Sequence, residues 1–151
     1  MGRVNLEKVV KYIVDESVKL KNKYTDEINA KVEFGDVFTR DEGEYQQLTD
    51  VINKLGTIVY PGPSGNIYSL KKSIETVAGN LYLVKIRKPD NKLHFRGDAD
   101  FDTDYQKLKQ KYHNNSHFEL IVRGKFEMLR LSDSSFDVMS CFSSIPVRKW
   151  V

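Results

Sequence analysis

The sequence predicts a single α+β domain, with a largely antiparallel, twisted sheet and about three helices packed mainly on one face. Several segments alternate apolar and polar side chains, the period of two that is typical of half-buried strands. Short turn sequences join some of these segments, which favours antiparallel hairpins. Other segments place apolar residues at three- and four-residue spacing, as amphipathic helices do. The 151 residues fit one domain, residues 1–151, with a short C-terminal tail from about residue 144.

Composition narrows the class of protein. With 40% hydrophobic and 30% charged residues, the chain is too apolar to be intrinsically disordered. It contains no apolar run near the ~20 residues that span a bilayer, and no apolar signal core at its N-terminus, so a soluble cytoplasmic protein is expected. The single cysteine, Cys141, excludes an internal disulfide and a cysteine-cluster metal site. We expect this thiol to be buried, and its reactivity stays open.

Two helices are predicted in the first third of the chain. The first covers about residues 5–24, where apolar residues recur at helical spacing between Lys and Glu. The second runs from about residue 40 or 42 to 55, and Thr39 with Glu42 matches a capping box at its start. Gly56 is expected to end this helix in a left-handed conformation.

Strands and one prominent loop surround these helices. Alternation predicts a strand at 31–38, and short strands are expected at 57–60 and 67–70. The Pro/Gly-rich loop at 61–66 lies between them and lacks the ending of a phosphate-binding P-loop. Tyrosines near this loop could line a pocket with Trp150.

A hairpin is predicted in the middle of the chain. Residues 81–88 form a strand, Pro89-Asp90-Asn91 is turn chemistry, and residues 92–102 alternate as a second strand. The register that keeps apolar residues on one face sets Lys85 opposite His94.

The last part of the chain predicts a third helix and three strands. The helix covers about 104–113, is capped by Asp102 or Thr103, and carries a basic side. The strands are expected at 117–123, 126–131 and 136–142. A two-residue turn that begins with Gly124 joins the first two and sets Glu119 opposite Arg130. No internal repeat is visible in the sequence.

The segment 92–102 supplies the candidate site. Its ionisable face carries a base, a cation and carboxylates in one row, and the neighbouring strand adds two more cations. The predicted ligand-binding face consists of Lys85, Arg87, His94, Arg96, Asp98 and Asp100, with the loop 61–66 at its edge. The alternative is an ordinary solvated face with cross-strand ion pairs. Gly97, inside the strand, favours a site, because such a glycine often marks a close approach by another group.

The sequence leaves three functions open, two of which use this face. The leading hypothesis is a binding domain for a polar small molecule or a protein partner, with the cofactor unknown, no resident metal and a homo-oligomer left open. The alternative is a metal-assisted or acid–base hydrolase, with Asp98 and Asp100 as metal ligands or general acid and base and His94 as proton shuttle. The third is weak nucleic-acid binding through Lys107, Lys109 and Lys111, which the mild net charge of +3 argues against.

Overall fold

The computed structural model describes residues 2–151, and of Val4 it describes the backbone only. The described chain forms an eight-stranded, mostly antiparallel sheet with helices on one side, which confirms the predicted α+β class. The helices are α1 (Gly2–Tyr24), α2 (Glu42–Leu55) and α3 (Tyr105–Tyr112). The strands are β1 (Val32–Phe38), β2 (Gly56–Tyr60), β3 (Gly65–Thr76), β4 (Gly79–Arg87), β5 (Gly97–Phe101), β6 (Phe118–Arg123), β7 (Phe126–Leu131) and β8 (Val138–Ser143). No helix in residues 2–151 is both long and apolar enough to cross a membrane.

The sheet is built from two units of the same topology. Its strand order is β2-β3-β4-β1-β5-β8-β7-β6. The first unit is β1-α2-β2-β3-β4 and the second is β5-α3-β6-β7-β8. In each unit the first strand pairs in parallel with the last, and the two first strands, β1 and β5, pair antiparallel at the centre. The fold therefore contains a repeated β-α-β-β-β unit, although the sequence shows no repeat.

The predicted hairpin between β4 and β5 is wrong, because β1 lies between these strands. Val37 of β1 is opposite Ile86 of β4 on one side and opposite Gly97 of β5 on the other. Strand β1 is buried at almost every position, so it gains most from a central place in the sheet. Residues 88–96 form a connection rather than a tight turn, and β5 begins only at Gly97.

The helices cover one face of the sheet and form the main core. Leu6, Val10 and Ile13 of α1 are buried there.

Two local predictions at α2 need correction. Its N-cap is Asp41, whose side chain accepts from the backbone N–H of Glu44 at 2.8 Å. Gly56 is extended (φ −159°) and starts β2, where an added Cβ would lie 2.4 Å from the carbonyl oxygen of Ser69.

The C-terminal segment, residues 144–151, crosses the opposite face of the sheet. Val147 packs in a second apolar cluster that joins β1, β3 and β4. Trp150 contacts one strand from each unit: its ring lies edge-on to Tyr60 of β2 at 5.1 Å and stacks on Phe126 of β7 at 5.8 Å between ring centroids. The segment, which includes a single 3₁₀ turn at Val147–Lys149, therefore covers part of a face that has no α-helix among the described residues.

Candidate functional site

The face opposite the helices holds a groove of about 410 Å³. Its floor comes from the central strands, and its walls include Phe34, Phe126, Met128 and Trp150. The charged and sulfur-bearing side chains that line it are Asp36 of β1, Lys85 and Arg87 of β4, Asp98 and Asp100 of β5, Arg123 of β6, Arg130 of β7 and Cys141 of β8. The carboxylates of β5 therefore line a concavity and not a flat surface.

The structure brings together four of the six residues predicted for the site. Lys85, Arg87, Asp98 and Asp100 share the groove. His94 lies exposed in the connection 88–96, outside the groove lining within the described chain. It is therefore not opposite Lys85, and it is not placed to act as the predicted proton shuttle.

Arg96 also lies outside the groove, in a buried ion pair. Its guanidinium donates to both carboxylate oxygens of Glu44, at 2.8 Å each, and to the carbonyl oxygen of Phe38 at 2.9 Å. The alternation assumed across 92–102 fails at Arg96, because β5 begins only at the next residue, Gly97. Arg96 therefore ties the start of α2 to the end of β1 and has a structural role.

Asp36 is the carboxylate of the site that the sequence prediction missed; Arg123, Arg130 and Cys141 also line the groove and were not predicted. It is 5% exposed and lies directly opposite Asp98 in the antiparallel register of β1 and β5. A carboxylate among the apolar residues of a strand that is buried at almost every position is the signal that would have identified it, because buried charges are rare unless they are paired or bind a ligand.

The three aspartates are crowded; Asp36 and Asp100 are buried, and Asp98 is half-buried. Burial raises the pKa of Asp36 to about 6, and Lys85 and Arg87 oppose this rise. Burial, the charge of Glu33 and that of Asp36 raise the pKa of Asp100 to about 8. Burial together with the charges of Asp36 and Asp100 raises the pKa of Asp98 well above its ordinary value. Like charges on facing positions of a sheet repel, so the groove favours protonation of these carboxyls or a bound cation.

Lys85 links the groove to the loop at 61–66. Its ammonium donates to the hydroxyl oxygen of Ser64 at 2.7 Å, and burial lowers the pKa of Lys85. The loop that the sequence placed at the edge of the site therefore contacts it through Ser64.

Two buried polar atoms in the groove have no hydrogen-bond partner among the described residues: Oδ1 of Asp36 and Nε of Arg87. The shortest distance between the two groups, from Arg87 Nε to Asp36 Oδ2, is 3.6 Å, beyond hydrogen-bonding distance. Leaving a buried donor or acceptor unsatisfied costs about 1–3 kcal/mol, so both atoms are available to a ligand.

One group of side chains has the geometry of a metal site. The ligand atoms of Asp98, Asp100 and Cys141 lie within 4.8 Å of one another. The thiol of Cys141 is 2% exposed, and burial beside Asp98 and Asp100 raises its pKa well above the ordinary value. Without a cation this cysteine is a protonated thiol, which is a poor nucleophile. With one, the three side chains would offer two oxygen ligands and one sulfur ligand.

The basic side of α3 does not form a free cationic surface. Lys107 pairs with Asp104 at 3.9 Å, Lys109 with Glu127 at 2.6 Å and Lys111 with Asp26. These ion pairs remove the concentrated positive charge that nucleic-acid binding through this helix would need.

Comparison with known proteins identifies shared architecture only. No protein-family model and no curated protein matches the sequence. Among solved structures, the chain is similar to the structural genomics protein EC4020, with a TM-score of 0.73 and 7% identity over 96% of this chain and 88% of that one. A glyoxalase/bleomycin resistance protein/dioxygenase superfamily member from Vibrio splendidus 12B01 aligns with a TM-score of 0.47 and 11% identity, over 76% of this chain and 97% of that one. The likeness to EC4020 shows that the two proteins share a fold.

Proposed function

We propose that this protein binds a small polar molecule in the groove on the open face of the sheet. The observation that carries the proposal is the pair of buried, unpartnered atoms of opposite charge, Asp36 Oδ1 and Arg87 Nε, in one cavity. A ligand with polar groups would supply the missing hydrogen bonds.

The size and lining of the groove support a small molecule rather than a protein partner. Its volume of about 410 Å³ lies in the range of small-molecule pockets. Apolar walls around a few convergent polar groups are typical of such pockets. The C-terminal segment narrows the opening through Val147 and Trp150, which leaves little room for a protein surface.

The only tryptophan of the chain provides the test. Trp150 lines the groove, so a bound molecule should change its fluorescence. We expect hits from a fragment library of small acids, amines and amides to shift both Trp150 emission and the amide NMR signals of Asp98, Met139 and Cys141. Trp150→Phe should lose the fluorescence response and keep the NMR response. Hits that shift only signals of residues outside the groove would contradict the proposal.

A second candidate is a metal-assisted hydrolase, which the cluster of Asp98, Asp100 and Cys141 favours. Carboxylate oxygens bind hard cations, and the added sulfur favours Zn²⁺ over Mg²⁺ or Ca²⁺. A bound Zn²⁺ would activate water for hydrolysis. Asp98 and Asp100 would then be ligands, and His94, outside the groove, would have no part.

Metal binding has a direct readout. We expect Zn²⁺ or Mn²⁺ to raise the melting temperature of the wild type by several degrees, because binding to the folded state alone stabilises it. Asp98→Asn should abolish this rise. Asp102→Asn, the same chemical change at a half-exposed residue paired with Arg148, should retain it. No rise with any divalent cation, or an equal rise in Asp98→Asn, would count against the metal site.

A further inference from the structure

Arg87 is held in a fixed position with its hydrogen-bonding capacity largely unused. Its guanidinium carbon lies 5.2 Å from the ring centroid of Phe38, so the planar group is supported by an aromatic face. Its nearest carboxylate is Asp36, whose oxygen is 3.6 Å from Nε, and Nε itself is buried without a partner. A guanidinium carries five N–H donors in a rigid fork, which matches the oxygens of a carboxylate or phosphate.

Three other arginines of the described chain already have a carboxylate within hydrogen-bonding distance. Arg96 binds Glu44 at 2.8 Å, Arg130 binds Glu119 at 2.7 Å, and Arg148 binds both oxygens of Asp102 at 2.7 and 2.9 Å. Arg87 differs from these three in lining a cavity while its nearest carboxylate oxygen, Asp36 Oδ2, stays 3.6 Å from Nε, an arrangement that leaves the guanidinium able to bind an anionic ligand.

Two further groups converge on the same point. Lys85 lies two residues before Arg87 on the same strand face, about 7 Å along the strand, and its ammonium is 2.7 Å from the hydroxyl oxygen of Ser64. Ser64 and Arg87 line both the groove and an adjoining cavity of about 560 Å³, which Arg40 and Lys88 also line. Besides Arg87, the adjoining cavity therefore adds two positive charges and one negative charge, that of Asp90, while Asp36 supplies the carboxylate nearest to Arg87.

We infer that the ligand of the groove carries an oxyanion, a carboxylate or a phosphate, which binds Arg87 with the help of Lys85 and Ser64. The inference rests on the proposed small-molecule function of the groove and names the chemical class of its ligand. The oxyanion lies at the β4 side, and the rest of the ligand extends along the apolar wall formed by Phe34, Ile67 and Val147.

Three probes that share one pentyl chain test this inference on EDTA-treated protein: hexanoate, pentyl phosphate and hexanamide. We expect at least one of the two anions to bind at least tenfold more tightly than the uncharged amide, as followed by Trp150 fluorescence and amide NMR. The tighter of the two anions identifies the source of the oxyanion. Arg87→Gln should weaken binding of that anion at least tenfold, and Arg87→Lys, which keeps the charge but loses the fork, should weaken it less.

The matched control is Lys125→Gln, which removes a positive charge from an exposed residue outside the groove lining, two residues after Arg123. It should change the affinity less than twofold. If hexanamide binds as tightly as both anions, or if Arg87→Gln binds as the wild type does, the oxyanion is wrong while the groove remains a binding site. If none of the probes affects the groove, the inference is overturned, and the fragment screen alone decides the proposed function.

Discussion

Asp100→Asn is expected to stabilise the metal-free protein by about 2–5 kcal/mol at pH 9 and to leave its stability nearly unchanged at pH 4. The pKa of Asp100 rises from an ordinary 3.8 to about 8 in the folded protein, mainly because the side chain is buried. Ionising this carboxyl therefore costs free energy in the folded state that it does not cost in the unfolded chain. An amide cannot ionise, so the variant avoids the cost.

The direction of the pH dependence follows from proton binding. Between pH 4 and pH 8 the folded protein holds the proton of Asp100, whereas the unfolded chain has released it. Stability therefore falls as pH rises across this window, and each pH unit removes up to about 1.4 kcal/mol. Asn keeps an oxygen that can accept the hydrogen bond Ser143 donates to Asp100, so little is lost at low pH. Urea unfolding at pH 4, 6, 8 and 9 measures the difference.

Five side chains interact with the Asp100 carboxyl, by charge or by a hydrogen bond, and belong to the environment in which it titrates: Glu33, Asp36, Asp98, Ser143 and Cys141. Asp102→Asn provides the control, since Asp102 is 41% exposed and paired with Arg148, and it should show no stabilisation at pH 9. Equal stabilities of wild type and Asp100→Asn at every pH would mean that water reaches the carboxyl. If Zn²⁺ reverses the sign, so that the wild type is the more stable protein at pH 9, a bound cation replaces the proton.

The prediction of secondary structure from sequence succeeded where local pattern determines it. The alternation in 31–38 correctly predicted β1, and the turn at Gly124 correctly predicted the hairpin of β6 and β7. Glu119 lies opposite Arg130 as predicted, and the two side chains form a hydrogen bond of 2.7 Å. Strand order was not accessible in the same way. The insertion of β1 between β4 and β5 depends on which strand gains most from burial on both faces, a property of the whole sheet.

The site was predicted only in part, because the strand order that brings its residues together was not accessible from the sequence. Lys85 and Asp98 share the groove because the periods of both strands are correct, even though they are not neighbours. Asp36, which lies between them in the sheet, was missed because its strand was assigned no place in the site. His94 was included because the alternation was extended through a segment that forms a connection. Periodicity predicts which side chains share a face, and topology decides which of them meet.

Gly97→Ala is expected to destabilise the fold by about 3 kcal/mol or more, because the site of its missing side chain is already filled. An added Cβ would lie 2.3 Å from the carbonyl oxygen of Asp36 and 2.6 Å from Cδ1 of Ile13 in α1. Gly97 is paired on both sides, opposite Val37 and Val138, so its backbone has little freedom to move away. The close approach at Gly97, which the sequence analysis took to favour a site, is that of α1 and of the neighbouring strand.

The matched control is Gly35→Ala, at a neighbouring position of β1. Its Cβ would meet only the end of the Leu81 side chain, at 3.2 Å, which can shift by a few tenths of an ångström. We expect this variant to lose no more than about 1 kcal/mol in urea unfolding. Gly97→Ala combined with Ile13→Val should recover little stability, because the contact with the backbone oxygen of Asp36 remains. If the two single variants were equally stable, the packing explanation would fail and a role for Gly97 in the groove would return.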